Sequence, residues 1–186
     1  ILASCTINPL CFYLSPVALS VVLGYSYTKR FTWLFHLVLG LGLSLAPIGA
    51  YLAVTGVFDF LPICFSLCVI TWVSGFDIIY ALQDEAFDRS LSLYSMPASF
   101  GKKKALGISS LLHMLSAGFV ILAGYLGDFG WLYWIGVTLF IALLIYQHSL
   151  VKPDDLRRVN LAFFTTNGIA SLVFAIFVVG ELLLHH

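Results

Sequence analysis

The sequence predicts an all-α fold, a polytopic transmembrane helical bundle with about six complete spans. Three observations carry this expectation. Of 186 residues, 61% are hydrophobic and only 10% are charged, against about 25% charged in ordinary soluble domains. Mean hydropathy is +1.02. The apolar residues gather in six long stretches, each near the ~20 residues a helix needs to cross a ~30 Å hydrocarbon core. Backbone donors inside lipid must be satisfied within the element, so spans this apolar are helices, and no period-2 alternation marks a barrel. This composition excludes an ordinary soluble enzyme and a disordered chain. Nine Lys and Arg balance nine Asp and Glu, which leaves no basic surplus for a nucleic-acid backbone. We read residues 1–186 as a single transmembrane domain.

The elements follow in order. Residues 1–7 read as the tail of an earlier span, closed by the Asn8-Pro9 break. Spans are predicted at about 9–27, 34–54, 60–82, 105–126, 131–150 and 160–184. In the second, Gly40, Gly42 and Gly49 permit close helix packing, and Pro47 predicts a kink. The four cysteines (Cys5, Cys11, Cys64, Cys68) lie in apolar runs without CxxC spacing. They read as buried, inert thiols. The chain opens on Ile1 rather than Met, so we expect part of a longer protein. His185-His186 reads equally as native sequence or as a tag remnant.

Charge placement orients the spans. Positive residues form three clusters, Lys29-Arg30, Arg89 with Lys102-Lys103-Lys104, and Lys152 with Arg157-Arg158. They occupy every second connection, while the intervening ones carry only Asp59 and Asp128. By the positive-inside rule the basic connections face the cytoplasm.

Chemistry gathers on those connections. In Phe76-Asp77-Ile78-Ile79-Tyr80-Ala81-Leu82-Gln83-Asp84-Glu85-Ala86-Phe87-Asp88-Arg89, Asp77, Asp84 and Asp88 stand at i, i+7 and i+11. On a continuous α-helix these fall within about 40° of one another, with Tyr80 near the same stripe. Asp77 lies at membrane depth, where an ionised carboxylate costs at least ~2.5 kcal/mol. Such a stripe calls for a cation, and magnesium suits carboxylate oxygens and bridges to phosphates. An amphipathic helix end wetted by headgroups is the open alternative. Upstream, Tyr25-Ser26-Tyr27-Thr28-Lys29-Arg30 sets Tyr25 and Lys29 four apart on one helix side. Lys29 and Arg30 would neutralise a phosphate, or would snorkel as interfacial cations. The segment Ser92 to Lys104 (SLYSMPASFGKKK) reads as a shaped loop whose lysines line a diphosphate site or enforce topology. Asn160 and Asn167 share a face of the last span, where an interhelical hydrogen bond explains Asn167 as well as ligand contact does. His36, His113 and His148 show no ligand spacing and read as core or interfacial residues.

Together, DIIYALQDEAFD, YSYTKR and SMPASFG resemble the UbiA-type intramembrane prenyltransferases, above all the 4-hydroxybenzoate polyprenyltransferase branch. The resemblance implies nine helices around a central cavity capped on the cytoplasmic side of a bacterial inner membrane. It implies transfer from an allylic polyprenyl diphosphate to an aromatic acceptor such as 4-hydroxybenzoate or a dihydroxynaphthoate, in ubiquinone or menaquinone synthesis. Magnesium ions are held in that family by two aspartate-rich motifs. By resemblance Asp84 and Asp88 are magnesium ligands, with Asp77 an added polar or metal-linked position. Tyr25, Lys29, Arg30 and Tyr80 fall where diphosphate is contacted, with Lys29 and Tyr25 also placed in the catalytic machinery. The family's first motif, NxxxDxxxD, is absent from these residues. The chain therefore resembles the C-terminal two-thirds of a member and is expected to be inactive by itself. Two other readings stay open: a transporter or channel-like module with an acidic vestibule, and an inactive fragment.

Overall fold

The computed structural model describes residues 2–184, and His185-His186 lies outside the described residues. The described residues form nine α-helices and no sheet. In chain order these are α1 (Leu2–Ile7), α2 (Pro9–Thr28), α3 (Phe35–Thr55), α4 (Phe60–Ala81), α5 (Glu85–Ser90), α6 (Met96–Phe100), α7 (Lys102–Leu126), α8 (Trp131–Leu150) and α9 (Asn167–Leu184). A 3₁₀ turn, Leu82–Asp84, joins α4 to α5, and a π-helical segment, Leu161–Thr166, leads into α9. Six helices are long and apolar enough to cross a membrane, at the positions the hydropathy pattern predicts. The chain is an integral membrane protein.

Side chains close the helix ends. Asn8 is extended and accepts from the Cys11 N–H at 2.9 Å, with Pro9 in the first turn. Its amide nitrogen then donates to the Leu52 carbonyl at 2.8 Å, which ties the start of α2 to the end of α3. Asp59 caps α4 by accepting from the Leu61 N–H at 3.1 Å, and that bond holds its carboxyl below the usual range. The start of α8 is capped from a distance. Glu181 on α9 is buried and accepts from the N–H groups of Gly130 (2.7 Å), Leu132 (3.1 Å) and Tyr133 (3.4 Å). A carboxylate on the positive end of a helix dipole is favourable.

α4 is the central helix and packs most extensively on α3 and α7. One apolar cluster joins Ile78, Ile79, Leu82, Met96, Ala105, Leu150 and Val159, beneath the basic connections. A second joins Cys68, Val120, Tyr133, Val137, Phe140 and Ala170. The first cluster draws on α4, the 3₁₀ turn, α6, α7, α8 and the π-helical segment, and so gathers two of the three basic connections at one end of the bundle.

Several sequence expectations need correction. Of the three glycines in α3, only Gly40 makes a close approach. A Cβ there would lie 2.6 Å from the Ile70 carbonyl oxygen and 2.5 Å from Ser74 Oγ, whereas Gly49 faces open space and Gly42 barely touches Val22. Cys64 and Cys68 are buried, but Cys5 is exposed and Cys11 only half-buried. Lys102, Lys103 and Lys104 open α7 rather than ending a loop. Asn167 donates to the Phe163 carbonyl of its own helical segment at 2.8 Å, not across to a neighbour.

Gly40→Ala is expected to force α3 and α4 apart and cost about 1–3 kcal/mol. Gly49→Ala should be neutral or slightly stabilising. Thermal unfolding in detergent compares the two directly.

Candidate active site

The predicted acidic stripe does not form as one α-helical face. The 3₁₀ turn at Leu82–Asp84 winds at about three residues per turn instead of 3.6, so Asp77 and the pair Asp84 and Asp88 lose their common register. Each acid instead has its own surroundings.

Asp77, near the end of α4, is engaged by His36. His36 Nδ1 lies 2.6 Å from Asp77 Oδ2. On its other side, the Met96 N–H donates to His36 Nε2 at 3.3 Å. That amide only donates, so Nε2 carries the lone pair and Nδ1–H points to the carboxylate. His36 is fully buried, and its carbonyl accepts from Ser74 Oγ at 3.0 Å. One imidazole thus joins α3, α4 and α6.

Asp88 on α5 is fully buried and pairs with Lys29, whose Nζ lies 2.7 Å from Oδ1. The contact is an ion pair by distance without hydrogen-bond angles, and Oδ2 has no partner among the described residues. Lys29 caps the end of α2. Its carbonyl accepts from the Tyr94 N–H at 2.9 Å, and its ammonium sits 5.4 Å over the Phe35 ring. The sequence places Lys29 and Asp88 in separate motifs; the fold joins them. Arg30 is exposed, with its guanidinium 6.0 Å from the Tyr27 ring. Tyr25 is half-buried one turn before Lys29 and its carbonyl accepts from Thr28 Oγ1.

Asp84 is half-buried at the join of the 3₁₀ turn and α5, and its side chain makes no capping bond. Glu85, which the sequence reading passed over, braces the same rim. It pairs with Arg89 at 2.9 Å, one turn along, and with Lys102 of α7 at 3.7 Å. Arg89 Nε also donates to the Ala98 carbonyl at 3.2 Å. The Glu85–Arg89 spacing of four was a visible helix pair; the Lys102 contact was not. Ser95 caps α6 by accepting from the Ala98 N–H at 3.3 Å, and Trp33 meets Phe100 edge-on at 5.1 Å. Together these contacts fold residues 82–101 into a cap over the end of α4.

Below the cap lies an aromatic wall. Tyr80 packs on Phe163 at 4.2 Å between ring centroids and on Phe164 at 6.0 Å. Phe163 also meets Phe76 at 5.4 Å. Deeper still, a cavity of about 500 Å³ is lined by Pro47, Val69, Trp72, Phe76 and Asn167, among others. Among the described residues no group of three or more His, Cys, Asp or Glu side chains converges as a metal site. Asp84 and Asp88 are rim carboxylates that could contribute oxygens to a metal ion. The unpartnered Asp88 Oδ2, buried beside a lysine, fits such a role.

This is an intramembrane helical protein with a polar, acid-and-lysine rim set above an aromatic, apolar interior. The UbiA prenyltransferase family model matches residues 1–177, and the chain belongs to that family. It is similar to 4-hydroxybenzoate octaprenyltransferase of Nitrosospira multiformis, 31% identical over 91% of this chain and 58% of that protein. The protein of the same description from Aeromonas hydrophila is 30% identical over 95% of this chain and 61% of its own length. The structure also resembles the apo structure of a UbiA homolog from Aeropyrum pernix K1, with a TM-score of 0.86 at 27% identity. That match covers 96% of this chain and 66% of the other. The chain spans about three-fifths of the length of the curated relatives it matches.

Lys29→Met should leave the buried Asp88 charge uncompensated and lower stability by about 3–5 kcal/mol. The double variant Lys29→Met/Asp88→Leu is expected to recover most of that loss. Thermal unfolding of the two variants in detergent checks the ion pair.

Proposed function

We propose that the full-length protein transfers a prenyl group from an allylic polyprenyl diphosphate to an aromatic acceptor, with magnesium as cofactor. The observation that carries this reading is the fully buried Asp88 carboxylate, paired with Lys29 through one oxygen and unpartnered at the other. A buried carboxylate with a free oxygen is costly without a further cation. The activity of the named relatives favours 4-hydroxybenzoate as the acceptor and a long isoprenoid as the donor.

In this proposal Asp84 and Asp88 would be among the residues that hold magnesium, with further ligands from outside these residues. Magnesium, when bound, supplies Lewis-acid charge neutralisation of the diphosphate oxygens. Lys29 and Arg30 take up the negative charge that develops as the allylic C–O bond breaks and its electron pair leaves with diphosphate. For this, Lys29 turns part of its charge from Asp88 toward the leaving group, with Tyr25 and Tyr80 flanking it. The Tyr80, Phe76, Phe163 and Phe164 wall keeps water from the allylic cation. An electron-rich aromatic carbon then forms the new C–C bond, and its ring proton leaves with the released diphosphate. The basic connections face the cytoplasm, in a bacterial inner membrane, and the isoprenoid tail enters from lipid.

Asp84→Ala and Asp88→Ala in the full-length protein are each expected to lower prenyl transfer by at least ~100-fold while the helical circular-dichroism signal is retained. Magnesium-dependent binding of a non-hydrolysable diphosphate analogue should be lost in parallel. Wild-type turnover in both variants would overturn the assignment, and magnesium binding without any diphosphate dependence would favour a cation pathway.

A further inference from the structure

Two histidines take no part in the site just described, yet they stand in one contact. His113 Nδ1 lies 2.9 Å from His148 Nε2, with ring centroids 4.9 Å apart and planes at 71°. His113 Nε2 lies 3.2 Å from the Trp72 carbonyl oxygen on α4. Gly75 makes this possible, because a Cβ there would fall 2.3 Å from the His113 ring.

The hydrogen-bond roles follow from the carbonyl. It can only accept, so His113 Nε2 carries the proton. In a neutral ring His113 Nδ1 then holds a lone pair and must receive its bond from His148 Nε2–H. His148 Nδ1 is left as an acceptor. Both rings line a cavity of about 410 Å³ between α7 and α8, within the usual size range of small-molecule sites.

The cavity has a polar end and an apolar end. Ser110 on α7 and His148, two residues before the end of α8, mark the polar end, toward the basic connections. Ala117 and Ile141 lie seven residues further along each helix, about 10 Å deeper. Leu144 and Ile145 complete the apolar wall. An anionic head would face the His148 lone pair, whereas a hydroxyl head, which both donates and accepts, satisfies His148 and the Ser110 hydroxyl together. A head that donates one hydrogen bond fits.

We propose that this crevice binds a membrane-borne amphiphile with a single hydroxyl head, such as a prenyl alcohol. The hydroxyl donates to His148 Nδ1 at interface depth, and the flexible apolar chain lies along Leu144 and Ile141. The site is separate from the acid-and-lysine rim and does not depend on the prenyl-transfer reading.

The test is ¹⁵N NMR of the histidines of the full-length protein in phosphatidylcholine nanodiscs, titrated with farnesol and with farnesyl methyl ether. Farnesol is expected to move the unprotonated His148 Nδ1 resonance, while the ether leaves it in place and binds about fivefold more weakly. His148→Phe should abolish the difference between alcohol and ether. Farnesol that binds but leaves His148 unmoved, as it would in the central cavity alone, overturns the proposal. Equal effects of alcohol and ether, or a protonated His148 Nδ1 in the ligand-free protein, overturn it too. The titration of the unsubstituted protein decides the matter even if His148→Phe does not fold.

Discussion

An ionised carboxylate inside a membrane protein needs a dedicated partner, and this constraint organises the bundle. Asp77 has His36, Asp88 has Lys29, Glu85 has Arg89 and Lys102, and Glu181 has three backbone amides at the start of α8. Apart from Glu85–Arg89 within α5, each pairing crosses between elements or closes a helix end. The hydrophobic effect provides little force between helices in lipid, so these polar contacts determine which elements meet and in what register. The close approach of α3 and α4 at Gly40 belongs to the same design, since it brings Ser74 under the His36 carbonyl and His36 under Asp77.

The cap shows how short polar contacts build a surface over a lipid-immersed helix end. Its helices α5 and α6 are too short to be stable alone. Lys29, Glu85, Arg89, Ser95 and His36 hold them, through bonds that reach back to α2, α3 and α7. A site placed on such a cap is rigid on the bundle side and open on the side away from it.

The two departures from α-helical geometry both lie beside this region. The 3₁₀ turn at Leu82–Asp84 re-aims Asp84 and Asp88 relative to Asp77. The π-helical segment Leu161–Thr166 carries Phe163 and Phe164 to the aromatic wall, and its Ala162 carbonyl accepts from Gln147 Nε2 at 3.1 Å. Irregular helix is tolerated at membrane depth where neighbouring side chains take up the freed backbone groups.

Much of this architecture was legible in the sequence. The six spans, the Asn8 break and the gathering of basic residues on alternate connections follow from local hydropathy and charge, which depend only on neighbours in the chain. The residues YSYTKR, DIIYALQDEAFD and SMPASFG also marked the family. The tertiary structure decided which polar groups face one another: Lys29 with Asp88 across 59 positions, Asp77 with His36 across 41, and His113 with His148 across 35. Helical periodicity could not supply these pairs, because it assumes an unbroken helix and is blind to contacts between helices. Local patterning therefore dictates where the chain enters and leaves the bilayer, while the choice of partner for each buried charge rests on packing in three dimensions.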